Sequence, residues 1–104
     1  MSYLSERRLQ TLMLIREYLK WRKEVFGKDS LCFTYKGLEK WFRRNRHWRW
    51  IPWSTVWRYI RILCDEHLIE RRGTTKSKET IFCISEMALK ILEEYESRFH
   101  RSGK

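Results

Sequence analysis

The side chains with the most evident chemistry are concentrated in residues 43–61, RRNRHWRWIPWSTVWRYIR. These residues include six arginines and four of the chain's six tryptophans, and they include no Asp or Glu. Guanidinium groups pair with phosphates and with guanine edges, whereas indole rings stack on bases or pack in cores. The segment is therefore a stacking surface for a single strand, an element that reads a duplex groove, or a core helix with a cationic face.

The positive charge of the chain is unevenly distributed. The formal net charge is +10, and residues 1–61 contain 15 Lys and Arg against 5 Asp and Glu. Residues 62–104 contain eight of each kind. One strongly basic part gives a protein an electrostatic direction, which indicates a polyanionic partner. The alternative is a basic surface that only keeps the protein in solution.

Residue types that support catalysis are scattered. The histidines His47, His67 and His100 are far apart, and there is no glycine loop that could cradle a phosphate. Asp65 and Glu66 are neighbours, but adjacent positions of a helix point in different directions. We therefore expect no enzyme, no catalytic residues and no cofactor, and the sequence indicates no small-molecule effector.

The three cysteines, Cys32, Cys64 and Cys83, form no CxxC pair, whereas structural zinc usually needs four ligands in paired spacing. We therefore expect no metal site. Buried free thiols are the default in an intracellular chain. The alternative is a disulfide between Cys32 and Cys83, if the two lie on neighbouring strands in the cytosol of a hyperthermophile.

The composition is typical of a single domain over residues 1–104. Hydrophobic residues make up 42% of the chain, and with one Pro and four Gly there are few breakers of long helices. No apolar run approaches the roughly 20 residues that span a bilayer. The first residues, MSYLSERRLQ, contain no apolar core of a signal peptide. We therefore expect a cytoplasmic protein with no membrane partner.

Apolar periodicity and capping residues predict the first elements. Apolar residues at helical spacing predict a first helix over residues 5–26, which stops at Gly27. Residues 31–33, LCF, are a short strand candidate, and Thr34 can cap the helix that follows. We predict this second helix over residues 35–48.

The end of the second helix has two candidate positions. Asn45 would lie on the core side, and it tolerates the left-handed conformation of a helix end, which favours a stop there. Trp48 lies seven residues after Trp41, which favours continuation on the same face. Arg49 would point into the core, so the helix cannot run beyond Trp48.

Three further elements follow Pro52, which suits the first turn of a helix. We predict a third helix over residues 53–66, a β-hairpin with a basic turn over residues 68–84, and a helix over residues 86–100 that Ser85 caps. The predicted fold is α+β and mainly helical, with a three-helix core, a short strand, a hairpin and an extra C-terminal helix.

This element order and the sequence STVWRYIRILCDEHLIERR, residues 54–72, resemble the winged helix-turn-helix family of DNA-binding transcriptional regulators. The resemblance in element order covers residues 5–84, and the size and final helix are similar to small regulators of archaea and archaeal viruses. It implies that the third helix is a recognition helix, that the hairpin is a wing, and that the partner is double-stranded DNA. His67 departs from the family pattern, because many relatives have Gly there.

The resemblance implies that the exposed face of the third helix enters the major groove. The candidates for base reading are Ser54, Thr55, Trp57, Arg58 and Arg61. Arg58 and Arg61 have the planar donor fork that pairs with guanine, although a phosphate contact is the alternative for each. Ser54 could instead cap the helix, and Trp57 could pack, donate its indole N–H or contact a sugar.

Two further groups of cations would flank the groove. The phosphate candidates on the second helix and the turn after it are Lys36, Lys40, Arg43, Arg44, Arg46 and Arg49. The wing candidates are Arg71, Arg72, Lys76 and Lys78. The alternative for the first group is a solvated face, and the alternative for the second is a wing used only for packing or solubility. Trp50 has no predicted role.

The final helix has an apolar stripe whose members are candidate dimerisation residues: Ile91, Leu92, Tyr95 and Phe99. A homodimer would suit a palindromic operator, whereas the alternative is that the stripe covers the domain's own core. The leading functional prediction is a sequence-specific regulator that binds double-stranded DNA. A protein-interaction module, and a protein that binds single strands or RNA through exposed tryptophans, are the alternatives.

Overall fold

The computed structural model describes the backbone of residues 5–102 and the side chains of residues 5–98. Within these residues the chain is mainly helical and also forms a small sheet, which confirms the predicted α+β class. The elements in chain order are α1 (Glu6–Phe26), β1 (Cys32–Thr34), α2 (Tyr35–Arg44), a short 3-10 helix (Arg46–Trp48), α3 (Trp53–Asp65), β2 (Ile69–Thr74), β3 (Thr80–Ile84) and α4 (Glu86–Ser102).

Capping residues define the ends of α1 and the start of α2. The Ser5 side chain accepts a hydrogen bond from the backbone N–H of Arg8, and Gly27 ends α1 with a φ of 69°. Glycine is favoured there because this left-handed conformation is strained for residues with a Cβ. Thr34 caps α2 by accepting a hydrogen bond from the N–H of Gly37 at 3.2 Å.

The second helix ends at Arg44, so the prediction that it reaches residue 48 is wrong in its last turn. Asn45 leaves the helical conformation, and its side-chain oxygen accepts a hydrogen bond from the N–H of His47 at 2.9 Å, which starts the 3-10 helix. Trp48 still enters the core, where it is 5% exposed and donates its indole N–H to Glu17 at 2.9 Å. The spacing from Trp41 therefore indicated the burial of Trp48 but not its backbone conformation.

The three strands form an antiparallel sheet in the order β1–β3–β2. The central strand is β3, and β1 is an edge strand. Cys83 of β3 lies directly opposite Cys32 of β1, and the two cysteines, 51 positions apart in the sequence, form a disulfide. Cys64 remains a free thiol. The expectation of free thiols at Cys32 and Cys83 is thus wrong, because antiparallel pairing of their strands brings the two sulfur atoms together.

The β2–β3 hairpin lies within the predicted range. Its turn is closed by a hydrogen bond from the N–H of Thr75 to the carbonyl of Glu79 at 2.8 Å, and Lys78 in that turn has a φ of 65°. Ahead of the hairpin, His67 ends the α3 turn with a φ of 63°. A histidine therefore occupies the left-handed conformation in which the family resemblance implied a glycine.

The core lies between α1, α2, α3, α4 and one face of the sheet. Its fully buried side chains include Leu12, Ile15, Leu38, Ile60, Leu63 and Ile69. Because α1 contacts α2, α3 and α4, it is the central helix of the domain. No helix in the described part of the chain is both long enough and apolar enough to cross a membrane.

The final helix packs on α1 rather than standing free. Leu92 is 0% exposed, and Glu96 forms an ion pair with Arg16 of α1 at 2.8 Å. Ile91 and Tyr95 are half-buried, and the Phe99 side chain lies outside the described residues. Leu92, a predicted dimerisation residue, is therefore buried in the domain's own core. For this residue the structure agrees with the alternative prediction, that the apolar stripe covers the core of its own domain.

Candidate nucleic-acid interface

One side of α3 is fixed in the core and the other faces solvent. Val56 and Ile60 are buried, whereas Ser54, Arg58 and Arg61 are exposed on successive turns of the same side. The N-cap position is Pro52, and it has no side-chain hydrogen bond, so Ser54 does not cap the helix. The exposed side of α3 therefore presents one hydroxyl and two guanidinium groups.

Neither arginine of this side is neutralised. None of the ion pairs among the described side chains includes Arg58 or Arg61. The Arg58 guanidinium carbon lies 5.8 Å from the ring centre of Tyr59, an exposed cation–π contact. Such contacts contribute only about 0.5–1 kcal/mol at exposed sites, so a nucleic-acid acceptor can replace this one at little cost.

The tryptophans of α3 pack against neighbouring elements. The Trp53 indole N–H donates to the Tyr35 hydroxyl at 2.8 Å, which ties α3 to the start of α2. The Trp57 ring meets Tyr35 edge-on at 4.6 Å between centres and Phe82 of β3 at 5.6 Å. Trp57 is therefore mainly a packing residue that holds α3 in place, and Thr55 beside it is only half-exposed.

A crevice of about 320 Å³ separates the start of α2, the middle of α3 and the hairpin. It is lined by Tyr35, Lys36, Trp57, Arg71, Glu79, Thr80 and Phe82. We call it the α3–hairpin crevice. It brings together one residue from each predicted contact group, namely Lys36, Trp57 and Arg71. The Glu79 Oε1 atom is buried there without a hydrogen-bond partner among the described residues.

The predicted phosphate contacts do not form a single surface. Lys36 lines the α3–hairpin crevice, whereas Arg49 is exposed in the turn before α3. Arg43 is held in an ion pair with Glu39 at 2.6 Å on the surface of α2. The other three line a separate groove between α1 and α2: Lys40, Arg44 and Arg46. The structure thus distributes these six residues over four locations.

The hairpin places its cations in different surroundings. Arg71 lines the crevice, and Arg72 forms an ion pair with Glu70 at 2.7 Å within β2. Lys76 and Lys78 are exposed in the turn. The turn therefore carries two ammonium groups that form no ion pair with a described residue, while β2 supplies Arg71 to the α3–hairpin crevice.

Trp50, which had no predicted role, lies between the 3-10 helix and α3 and is 58% exposed. The Trp50 ring stacks on the Trp48 ring, with 6.3 Å between ring centres. The guanidinium carbon of Arg7 lies 5.6 Å from the centre of the Trp50 ring. Arg7 at the start of α1 therefore lies beside Trp50. Sequence reasoning missed Arg7 because only the tertiary packing of α1 brings it there.

The remaining reactive group of this region is the Cys64 thiol. Burial raises the pKa of the Cys64 thiol, while Arg71 opposes that shift and Asp65 adds to it, so the thiol stays protonated at neutral pH. No group of three or more His, Cys, Asp and Glu side chains within residues 5–98 could hold a metal ion.

Comparisons of the chain with models of protein families, with curated proteins and with solved structures find no match.

Proposed function

We propose that the protein is a winged helix-turn-helix regulator that binds double-stranded DNA in a sequence-specific manner. In this proposal α3 is the recognition helix and the β2–β3 hairpin is the wing. The observation that supports it best is the exposed side of α3, which presents Ser54, Arg58 and Arg61. Neither arginine has an ion-pair partner among the described residues. Two unpaired guanidinium groups on a rigidly packed helix are suited to pair with guanine edges.

The dimensions of α3 fit a major groove. From Ser54 to Arg61 the helix rises roughly 10 Å at 1.5 Å per residue, which corresponds to about three base-pair steps of B-DNA. Packing of Trp53 and Trp57 on Tyr35 prevents the helix from rolling about its axis. A fixed rotation matters because direct readout requires each side chain to meet one base edge.

The cations around α3 would position the duplex. Lys36 and Arg71 line the α3–hairpin crevice, while Arg49 is exposed in the turn before α3 and Lys76 and Lys78 are exposed in the hairpin turn. With about five phosphates neutralised, log K should fall against log salt with a slope of roughly −4 to −5. These contacts supply affinity, whereas sequence preference comes from α3.

A homodimer forms part of the same proposal, although less of α4 is available for it than the sequence indicated. Leu92 is used in the core, while Met87 is 64% exposed near the start of the helix and Ile91 is half-buried. A two-fold axis beside α4 would place two α3 helices on half-sites of a palindrome.

Selection of bound sites from a random duplex library tests the proposed function. We expect enrichment of a short motif containing guanines, and a palindromic motif if the protein binds as a dimer. Binding without any enriched motif would exclude base reading. If no duplex is bound even at low salt, the alternative of a protein-interaction module replaces the proposal.

A further inference from the structure

Three aromatic side chains, Tyr18, Trp21 and Phe26, form a cluster on the C-terminal half of α1, in which Trp21 and Phe26 are exposed and Tyr18 is buried. We call this cluster the α1 aromatic ridge. Trp21 is 39% exposed and Phe26 is 61% exposed, and their rings meet edge-on with 5.4 Å between centres. Tyr18 stacks on Trp21 at 6.1 Å and rests on the buried Trp41 at 5.4 Å. Clustered exposed rings of this kind mark a contact surface more often than isolated ones do.

A groove lies on each side of the α1 aromatic ridge, and all three ridge residues line both grooves. The groove toward α2 has a volume of about 660 Å³, and the groove toward β1 and the hairpin has a volume of about 430 Å³. No residue of α3 lines either groove. The ridge and its grooves are therefore separate from the exposed side of α3.

Both grooves are basic. The groove toward α2 contains Lys40, Arg44 and Arg46, and the groove toward β1 contains Arg22 and Lys28. Among the described residues no Asp or Glu lines either of them. Arg22 is anchored by a 2.8 Å hydrogen bond to the Cys32 carbonyl, which leaves its positive charge unneutralised. Aromatic rings thus stand between two sets of cations.

Close packing of α1 on α2 gives the ridge a firm base. A Cβ at position 37 would lie 2.8 Å from the Tyr18 hydroxyl oxygen and 3.1 Å from the Thr34 hydroxyl oxygen, so only glycine fits without displacement. Gly37 also lines the groove toward α2. The rings are therefore presented by rigid elements rather than by a loop.

We propose that the α1 aromatic ridge and its two grooves bind single-stranded nucleic acid. An unpaired strand offers flat rings for stacking, with a phosphate at each step for the flanking cations. Duplex DNA cannot supply these rings, because its bases are stacked and paired in the interior. A small aromatic acid would occupy one groove and leave the cations of the other unmatched. This site does not depend on the proposed duplex function of α3.

The test is the affinity of the intact protein for a labelled twelve-residue oligothymidylate, measured by fluorescence anisotropy at low salt. Replacing Trp21→Ala or Phe26→Ala should weaken binding about fivefold or more, because each removes a stacking ring. Trp21→Tyr should restore most of the affinity, since it keeps a ring at that position. Trp50→Ala, which removes an exposed indole elsewhere, should leave the affinity unchanged, and circular dichroism checks that each variant is folded.

Three results would overturn this site. The first is unchanged oligothymidylate affinity in both Trp21→Ala and Phe26→Ala. The second is thymidine monophosphate binding as tightly as the oligonucleotide, which would indicate a small-ligand site. The third is polyglutamate competing as well as the oligonucleotide at equal charge, which would indicate an acidic protein segment. Arg58→Ala combined with Arg61→Ala should weaken duplex binding only, so loss of duplex binding alone affects the proposed function and not this site.

Discussion

At the scale of residues, the structure separates cations that are free to bind from cations that are already paired. Arg43 and Arg72 are neutralised locally by Glu39 and Glu70, whereas Arg61 has no ion pair among the described residues. Spacing along a helix indicates which side chains share a face, but it cannot show which arginine forms an ion pair with which carboxylate. The sequence therefore predicted which arginines share the exposed face of α3, but it could not show that Arg43 and Arg72 are ion-paired.

Trp57 provides the first residue-scale prediction. Its ring packs on Tyr35 and Phe82, so Trp57→Ala should lower the free energy of unfolding by about 2–4 kcal/mol. This is somewhat less than the roughly 3–5 kcal/mol of a fully buried ring, because Trp57 is half-buried. Trp50→Ala, which removes a ring that is 58% exposed, should change it by less than about 0.5 kcal/mol. Urea denaturation of both variants measures the difference. Equal effects of the two substitutions would show that Trp57 is not a packing residue.

His67 provides the second residue-scale prediction. Its φ of 63° is costly for a residue with a Cβ, so His67→Gly should raise the free energy of unfolding by about 0.5–1 kcal/mol. Lys78→Gly, at a φ of 65°, is a second test of the same effect. Thermal unfolding should show a higher midpoint for each variant. A lower midpoint for His67→Gly would mean that the imidazole makes a stabilising contact.

At the scale of elements, the disulfide between Cys32 and Cys83 joins an edge strand to the central strand. It closes a loop of 51 positions, which restricts the unfolded chain and should stabilise the fold by about 3–4 kcal/mol. A reductant should therefore lower the stability of the protein by this amount in urea denaturation.

Matched cysteine variants control for this effect. The variant with Cys32→Ser and Cys83→Ser should already be less stable and should not respond further to the reductant. Cys64→Ser should retain the full response, because Cys64 is a free thiol. An equal response to reductant in all three proteins would exclude the disulfide as its source.

The elements also show where local sequence patterns suffice. Gly27 and Thr34 act at element ends as predicted, because capping depends on a few adjacent residues. The end of α2 was harder to predict, since Asn45 favoured a stop while the spacing of Trp48 favoured continuation. The 3-10 helix satisfies both, because it breaks the helix at Asn45 and still directs Trp48 into the core.

At the scale of the whole molecule, what the sequence left open depended on tertiary packing. An apolar stripe looks the same whether it covers its own domain or a partner, so the burial of Leu92 could not be predicted from the sequence. The same holds for the basic residues of α2. The sequence assigned them together to the second helix and the turn after it, whereas in the fold Lys36 lines the α3–hairpin crevice and Lys40, Arg44 and Arg46 line the groove beside the α1 aromatic ridge.

The charge distribution is consistent with this division. Net charge alone predicts a polyanionic partner without saying how many surfaces bind it. The exposed side of α3 offers separated guanidinium groups without exposed rings, whereas the α1 aromatic ridge offers rings between cations. We infer that the two surfaces differ in the form of nucleic acid that they accept, duplex at the first and single strand at the second.

The central claim is that α3 reads bases, and the most direct test compares specific with non-specific affinity. The measurement is the dissociation constant of Arg58→Ala and Arg61→Ala for the selected duplex site and for a random duplex, at one fixed salt concentration. Each substitution should weaken binding to the selected site by about 1–3 kcal/mol more than binding to the random duplex. Lys76→Ala should weaken both equally, because a phosphate contact is independent of sequence. An equal loss on both duplexes for Arg58→Ala and Arg61→Ala would contradict base reading by α3.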